Sequence, residues 1–151
     1  MIWTELTKTA YDIACNAHRG QSDQGDNPYI IHPCTLAAQM PDEDTTAIAL
    51  LHDVLEDSDI TPETLAEYGI PDGIIKTVIL LSRNHWPNLS YMEYIQNLRQ
   101  SQTAITVKTA DLLHNLDLSR LNHELTEQDR SLHRRYQKAL AILQPNTQLP
   151  K

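Results

Sequence analysis

Apolar residues return at intervals of three and four along nearly the whole chain, and runs of strict alternation are few. That spacing fits one face of a helix and leaves little that could serve as a half-buried strand, so the expected fold class is all-α. The pattern predicts roughly eight helices. A first over 4–18 turns Leu6, Ala10, Ile13, Ala14 and Ala17 inward, and the polar loop "RGQSDQGDNP" follows it. A second starts near Pro33, whose missing N–H costs nothing in a first turn. A third covers 43–57. Thr61, Pro62 and Gly69 mark the cap, first position and stop of a fourth. "PDGIIKTVILLSR" reads as a buried helix, with a strand as the competing reading because of its β-branched content. Ser90 and Glu93 form a capping box, a further helix covers 102–122, and Thr126 with Asp129 opens the last, through about Leu143. No linker, repeat or low-complexity segment interrupts the 151 residues, so one domain is expected over 1–151, with 144–151 a loose tail.

Composition narrows the partners. The formal charge is -8 and no Lys/Arg run occurs, which argues against a grip on duplex nucleic acid. A small anionic substrate stays compatible if a metal and local cations offset the carboxylates. Cys15 and Cys34 form no metal-spaced pair and read as free thiols of a reducing compartment. The N-terminus lacks the pattern of a secretion signal, and no apolar stretch approaches the ~20 residues of a membrane span. The chain therefore reads as a soluble, cytoplasmic protein. Self-association is left open.

Three stretches carry the chemistry. In "ALLHDVLEDSD", Ala47, Ile48, Leu51, Val54 and Leu55 make an apolar stripe, while His52, Asp53, Glu56 and Asp57 share the other side. This is either a solvated face or a site. Carboxylates crowded at this spacing repel one another, and a cation among them relieves the repulsion. In "NPYIIHP", His32 lies among Ile30, Ile31 and Pro33, the setting of a core histidine or of a ligand. In "VKTADLLHNL", Val107, Leu112, Leu113 and Leu116 point to packing, whereas Lys108, Asp111 and Asn115 recur along one face. Two histidines and two carboxylates on three helices would form a mixed nitrogen and oxygen site. That set suits Mn²⁺ or Fe²⁺, and less distinctively Zn²⁺ or Mg²⁺. It also leaves positions open for water or substrate.

In order and spacing, "AHRGQ…NPYIIHP", "ALLHDVLED" and "VKTADLLHNL" resemble the HD-domain phosphohydrolases. The resemblance is to the (p)ppGpp hydrolase domains of the Rel/Spo type and the small alarmone hydrolases, from about Ala14 to Asp117. It implies a helical HD-domain fold and a divalent metal, most simply Mn²⁺, held by His32, His52, Asp53 and Asp111. It implies that Glu56 and Asp57 orient and activate the attacking water, and that Asn115 contacts the nucleotide. Lys108 and Arg19 are further candidates for substrate binding, with Arg120 and Arg135 as other available cations. The implied activity is (p)ppGpp 3′-pyrophosphohydrolysis. Alternatives are hydrolysis of another phosphorylated nucleotide, such as a nucleoside monophosphate or NADPH, or a catalytically idle nucleotide- or partner-binding domain. His18 and His114 match motif positions and are expected in packing or supporting roles, whereas His85, His123 and His133 are expected at the surface. The chain departs from the family at three places. Asp23 and Gln24 replace an Arg-Lys pair, Leu112 replaces an Arg expected to touch the nucleotide, and Leu118 replaces a Thr.

Overall fold

The computed structural model describes residues 1–144, and the tail expected to be loose lies outside the described residues from 145 on. Among the described residues there are nine α-helices and no strand, only an isolated bridge between Ser22 and Pro28. The helices are α1 Glu5–Ala17, α2 Ile31–Ala37, α3 Glu43–Leu51, α4 Val54–Asp57, α5 Pro62–Glu67, α6 Asp72–Leu81, α7 Tyr91–Leu98, α8 Gln102–Asn115 and α9 Glu127–Leu143.

Helix starts follow local chemistry. Thr4, Ser90 and Thr126 each close a reciprocal capping box, and Asp42, Thr61 and Ser101 accept a first-turn N–H. The segment with strand character is the helix α6, because Ile74, Ile75, Val78 and Leu81 then share a buried stripe.

Two long helices expected from the sequence are shorter. The span 43–57 breaks at His52 and Asp53, where the His52 ring takes the Ala49 carbonyl that the helix would offer to the Asp53 N–H. The span 102–122 ends at Asn115. Asp117 accepts bonds from the N–H and hydroxyl of Ser119, which starts a separate 3₁₀ turn over Leu118–Arg120. Leu113, expected to pack, is 43% exposed, because it turns to the side of α8 away from Val107 and Leu112.

Helix α3 lies at the centre. Its residues 45–51 are all buried, and α1, α2, α6 and α8 pack around it. The end of α3, the start of α2 and the middle of α8 therefore meet within one core. A polar side chain placed there must find a partner or a ligand.

Candidate metal centre

His52 ends α3 with its side chain 3% exposed. Its Nδ1–H donates to the Ala49 carbonyl at 2.6 Å, which directs Nε2 inward. That Nε2 is buried and makes no hydrogen bond, although Asp53 Oδ2 lies 3.0 Å away and Asp111 Oδ1 3.8 Å away. His32, in the first turn of α2, brings its Nε2 within 2.9 Å of Asp111 Oδ1 and 4.0 Å of Asp53 Oδ2. Ligand atoms of His32, His52 and Asp53 fall within 4.8 Å of one another, and Asp111 borders that cluster through its contact with His32. The donor set and the orphaned His52 nitrogen fit a divalent cation. Electrostatics points the same way. Burial lowers the His52 pKa, yet the charge of Asp53 beside it wins and leaves it well above the usual value. Burial also opposes ionisation of Asp53, but His52 and then His32 hold its carboxyl at about 2. The cluster attracts positive charge.

Supporting groups orient these atoms. The His32 Nδ1 meets His114 Nδ1 at 2.6 Å, with the two rings nearly parallel. Burial, then the charges of Arg120 and His32, lower the His114 pKa to about 4, so His114 stays neutral and can accept the His32 N–H. Tyr29 donates its hydroxyl to Asp53 Oδ2, and burial followed by that carboxylate pushes the phenol far above its ordinary value. Asp111 Oδ2 meets the Lys108 ammonium at 2.8 Å, and Oδ1 accepts from Asn115 at 3.1 Å. Burial disfavours both charges of the lysine–aspartate pair, but their attraction prevails: Lys108 is raised and Asp111 lowered, each strongly.

Two adjoining cavities open on the centre and share Tyr29, His32, Asn115 and Tyr136. The metal lobe, about 320 Å³, is bordered by Asp53, Glu56, Asp57 and Asp111 and by the cations Lys108, Arg83 and Arg135. Glu56 and Asp57 are solvent-accessible, yet the protein around them lifts both carboxyls above their ordinary values, and the charge of Asp53 adds to this. Gln21 ties the wall together, donating to the Asp57 carbonyl at 2.8 Å while meeting the ring of buried His18 at 2.9 Å. The outer lobe, about 420 Å³, lies between the 22–29 loop and the segment 117–136.

No protein-family model matches the chain. The guanosine-3′,5′-bis(diphosphate) 3′-pyrophosphohydrolase of Vibrio cholerae is 35% identical over 124 residues, which cover 74% of this chain and 18% of the relative. The bifunctional (p)ppGpp synthase/hydrolase SpoT of Escherichia coli is 32% identical over 121 residues, covering 72% and 17%. A solved structure, described as a metazoan ortholog of SpoT that hydrolyses ppGpp, matches with a TM-score of 0.77 at 25% identity. That match covers 97% of this chain and 89% of the neighbour. This is a Rel/Spo hydrolase-domain-like protein. It spans under a fifth of the length of the curated relatives it matches, at 18% and 17%.

The Rel/Spo-like chain gathers Lys108, Asn115, Glu56 and Asp57 at the cavities with His32, Asp53 and Asp111, while His52 is buried and lines neither lobe. Arg19 stands apart: it is exposed, bonds Asn16 at 2.8 Å and lines neither cavity. Leu112 is fully buried and lines neither lobe, so an Arg-to-Leu change there alters the core rather than a substrate contact. His133, expected at the surface, is half-buried in the outer lobe with Nδ1 unpartnered, because α9 turns that face toward the 3₁₀ turn. Roles for Tyr29 and Gln21 were missed from sequence. Both belong to the stretch that brings His32, but a tyrosine hydroxyl aimed across the fold leaves no local signature. No helix among the described residues is long and apolar enough to cross a membrane.

Proposed function

We propose that this protein is a metal-dependent (p)ppGpp 3′-pyrophosphohydrolase, with Mn²⁺ held by His32, His52, Asp53 and Asp111. The observation that carries the reading is the buried, unpartnered His52 Nε2 facing Asp53 Oδ2 at 3.0 Å, beside two carboxyls of raised pKa. Similarity to proteins named as (p)ppGpp 3′-pyrophosphohydrolases supports the substrate.

When bound, the ion supplies Lewis-acid charge at the phosphoryl group and makes water easier to deprotonate. The residues of the chain do the rest. Glu56 and Asp57 border the metal lobe, where they orient water and take one of its protons. The water oxygen bonds to the phosphorus joined to the 3′-oxygen, that phosphorus–oxygen bond breaks, and pyrophosphate leaves as the 3′-oxygen is protonated. Lys108, Arg83 and Arg135 offset the negative charge that collects on the phosphoryl oxygens. Asn115 reaches both lobes and can donate to or accept from the nucleotide between them.

The test incubates the protein with Mn²⁺ and ppGpp beside GTP, GMP, deoxynucleoside monophosphates and NADPH. Pyrophosphate and phosphate are measured separately, with Asp53→Ala as blank. Pyrophosphate from ppGpp, lost in the variant, is the expected result. Phosphate from another nucleotide would keep the site and change the substrate. No turnover despite stoichiometric bound Mn²⁺ would leave a binding domain in place of an enzyme.

A further inference from the structure

The two lobes differ in charge. In the metal lobe, three cationic side chains face four carboxylates, and a divalent ion makes that balance positive. Among the described residues, the outer lobe carries Asp23, Asp117 and Asp129 against one arginine. All three carboxyls are held below their ordinary pKa values and are ionised at neutral pH. Backbone N–H bonds from Asn27 and Gly25 overcome burial at Asp23, Ser119 stabilises Asp117, and the Thr126 N–H stabilises Asp129. The single cation is already engaged. Arg120 donates to the His114 carbonyl at 2.9 Å and lies 3.5 Å from Asp23 Oδ2. What the lobe adds is hydrogen-bonding capacity: Ser22, Gln24, Tyr136 and the unpartnered Nδ1 of His133.

A phosphoryl group at the metal lobe leaves the rest of a nucleotide to occupy the adjoining space. A second set of phosphates there would meet carboxylates with no free cation, whereas an N–H-rich base or a bare ribose hydroxyl would find acceptors. We propose that the outer lobe is a charge filter. Substrates phosphorylated at the reacting end are favoured, and each further phosphate on the opposite, 5′ end weakens recognition, with Asp23, Asp117 and Asp129 as the discriminating residues. The inference rests on the proposed hydrolase function and orders its substrates.

The test uses the Mn²⁺-loaded full chain with guanosine 3′-diphosphates bearing a 5′-hydroxyl, 5′-monophosphate, 5′-diphosphate or 5′-triphosphate. Both kcat/KM and Kd by calorimetry are read, the latter with Asp57→Asn to prevent turnover. Expected is a fall of about fivefold per added 5′-phosphate, shrinking as salt is raised. Asp23→Asn keeps the side-chain oxygen that accepts from Gly25 and Asn27 but releases Arg120. It should flatten the series by about an order of magnitude across its length, and Asp117→Asn should flatten it in part. A flat series, or one rising toward the 5′-triphosphate, overturns the filter. Absence of hydrolysis with all four would overturn the enzyme reading instead, and the calorimetric order would still decide the filter.

Discussion

At the residue scale, the rim of the centre carries carboxyls that cost the protein stability unless a cation joins them. Glu56 and Asp57 are the clearest case, because surrounding protein and the charge of Asp53 raise both pKa values. A carboxyl with a folded pKa above its unfolded one favours the folded state at low pH. That contribution is lost as pH rises through the folded value. In metal-free protein at pH 7, Glu56→Gln should therefore raise Tm, and the gain should vanish below about pH 4, where both states hold the proton. Thermal melts in chelator across pH 4–8 check this. A variant less stable than wild type at pH 7 would mean that Glu56 makes a favourable contact that outweighs the repulsion. His114 is a positioning residue. Replacing it with alanine removes the partner of His32 Nδ1, 2.6 Å away, and frees the ring to rotate. Mn²⁺ affinity by titration should fall by roughly 10–100-fold. Circular dichroism should change little, since His114 is half-buried and outside the apolar core. Unchanged affinity would remove His114 from the centre.

At the scale of elements, the break between α3 and α4 is what makes the site. A continuous helix over 43–57 would keep His52 and Asp53 on a helical surface. With the His52 ring occupying the Ala49 carbonyl, the chain turns, and Asp53 Oδ2 comes within 3.0 Å of His52 Nε2. A second join is made by loops. The 22–29 loop meets the 3₁₀ turn Leu118–Arg120 and the residues just after it through Arg120 and Asp23, through Asn122 and Asp26 at 2.7 Å, and through Gly25. A Cβ at Gly25 would sit 2.3 Å from the Arg120 carbonyl oxygen, a backbone atom that cannot swing aside. Gly25→Ala should thus part the two loops and cost roughly 1–3 kcal/mol by denaturant unfolding. It should raise KM for nucleotide while leaving Mn²⁺ affinity near wild type, because no metal-ligand candidate lies on either loop. Equal losses in both would show that the loops also hold the centre.

For the whole molecule, ligand candidates from α2, the α3–α4 break and α8 would make metal binding and folding one linked equilibrium. Mn²⁺ at about 100 times its Kd should add about 2.7 kcal/mol. For a chain of this length that is roughly 5–10 °C in Tm, and Asp53→Ala should abolish the shift. A metal-independent Tm would place the ion elsewhere. By itself, the sequence determined the all-helical class, most helix starts and the three stretches that meet at the centre. Those depend on periodicity and capping within a few residues, and the motifs carry the resemblance in order. Only the tertiary structure decided that the helix carrying His52 breaks and that α8 stops at Asn115. It alone revealed that Leu113 turns outward, that Arg19 stands apart and that Tyr29 reaches across to Asp53. Each of these turns on which distant group reaches a given carbonyl, ring or carboxylate, a competition settled by packing between helices far apart in the chain.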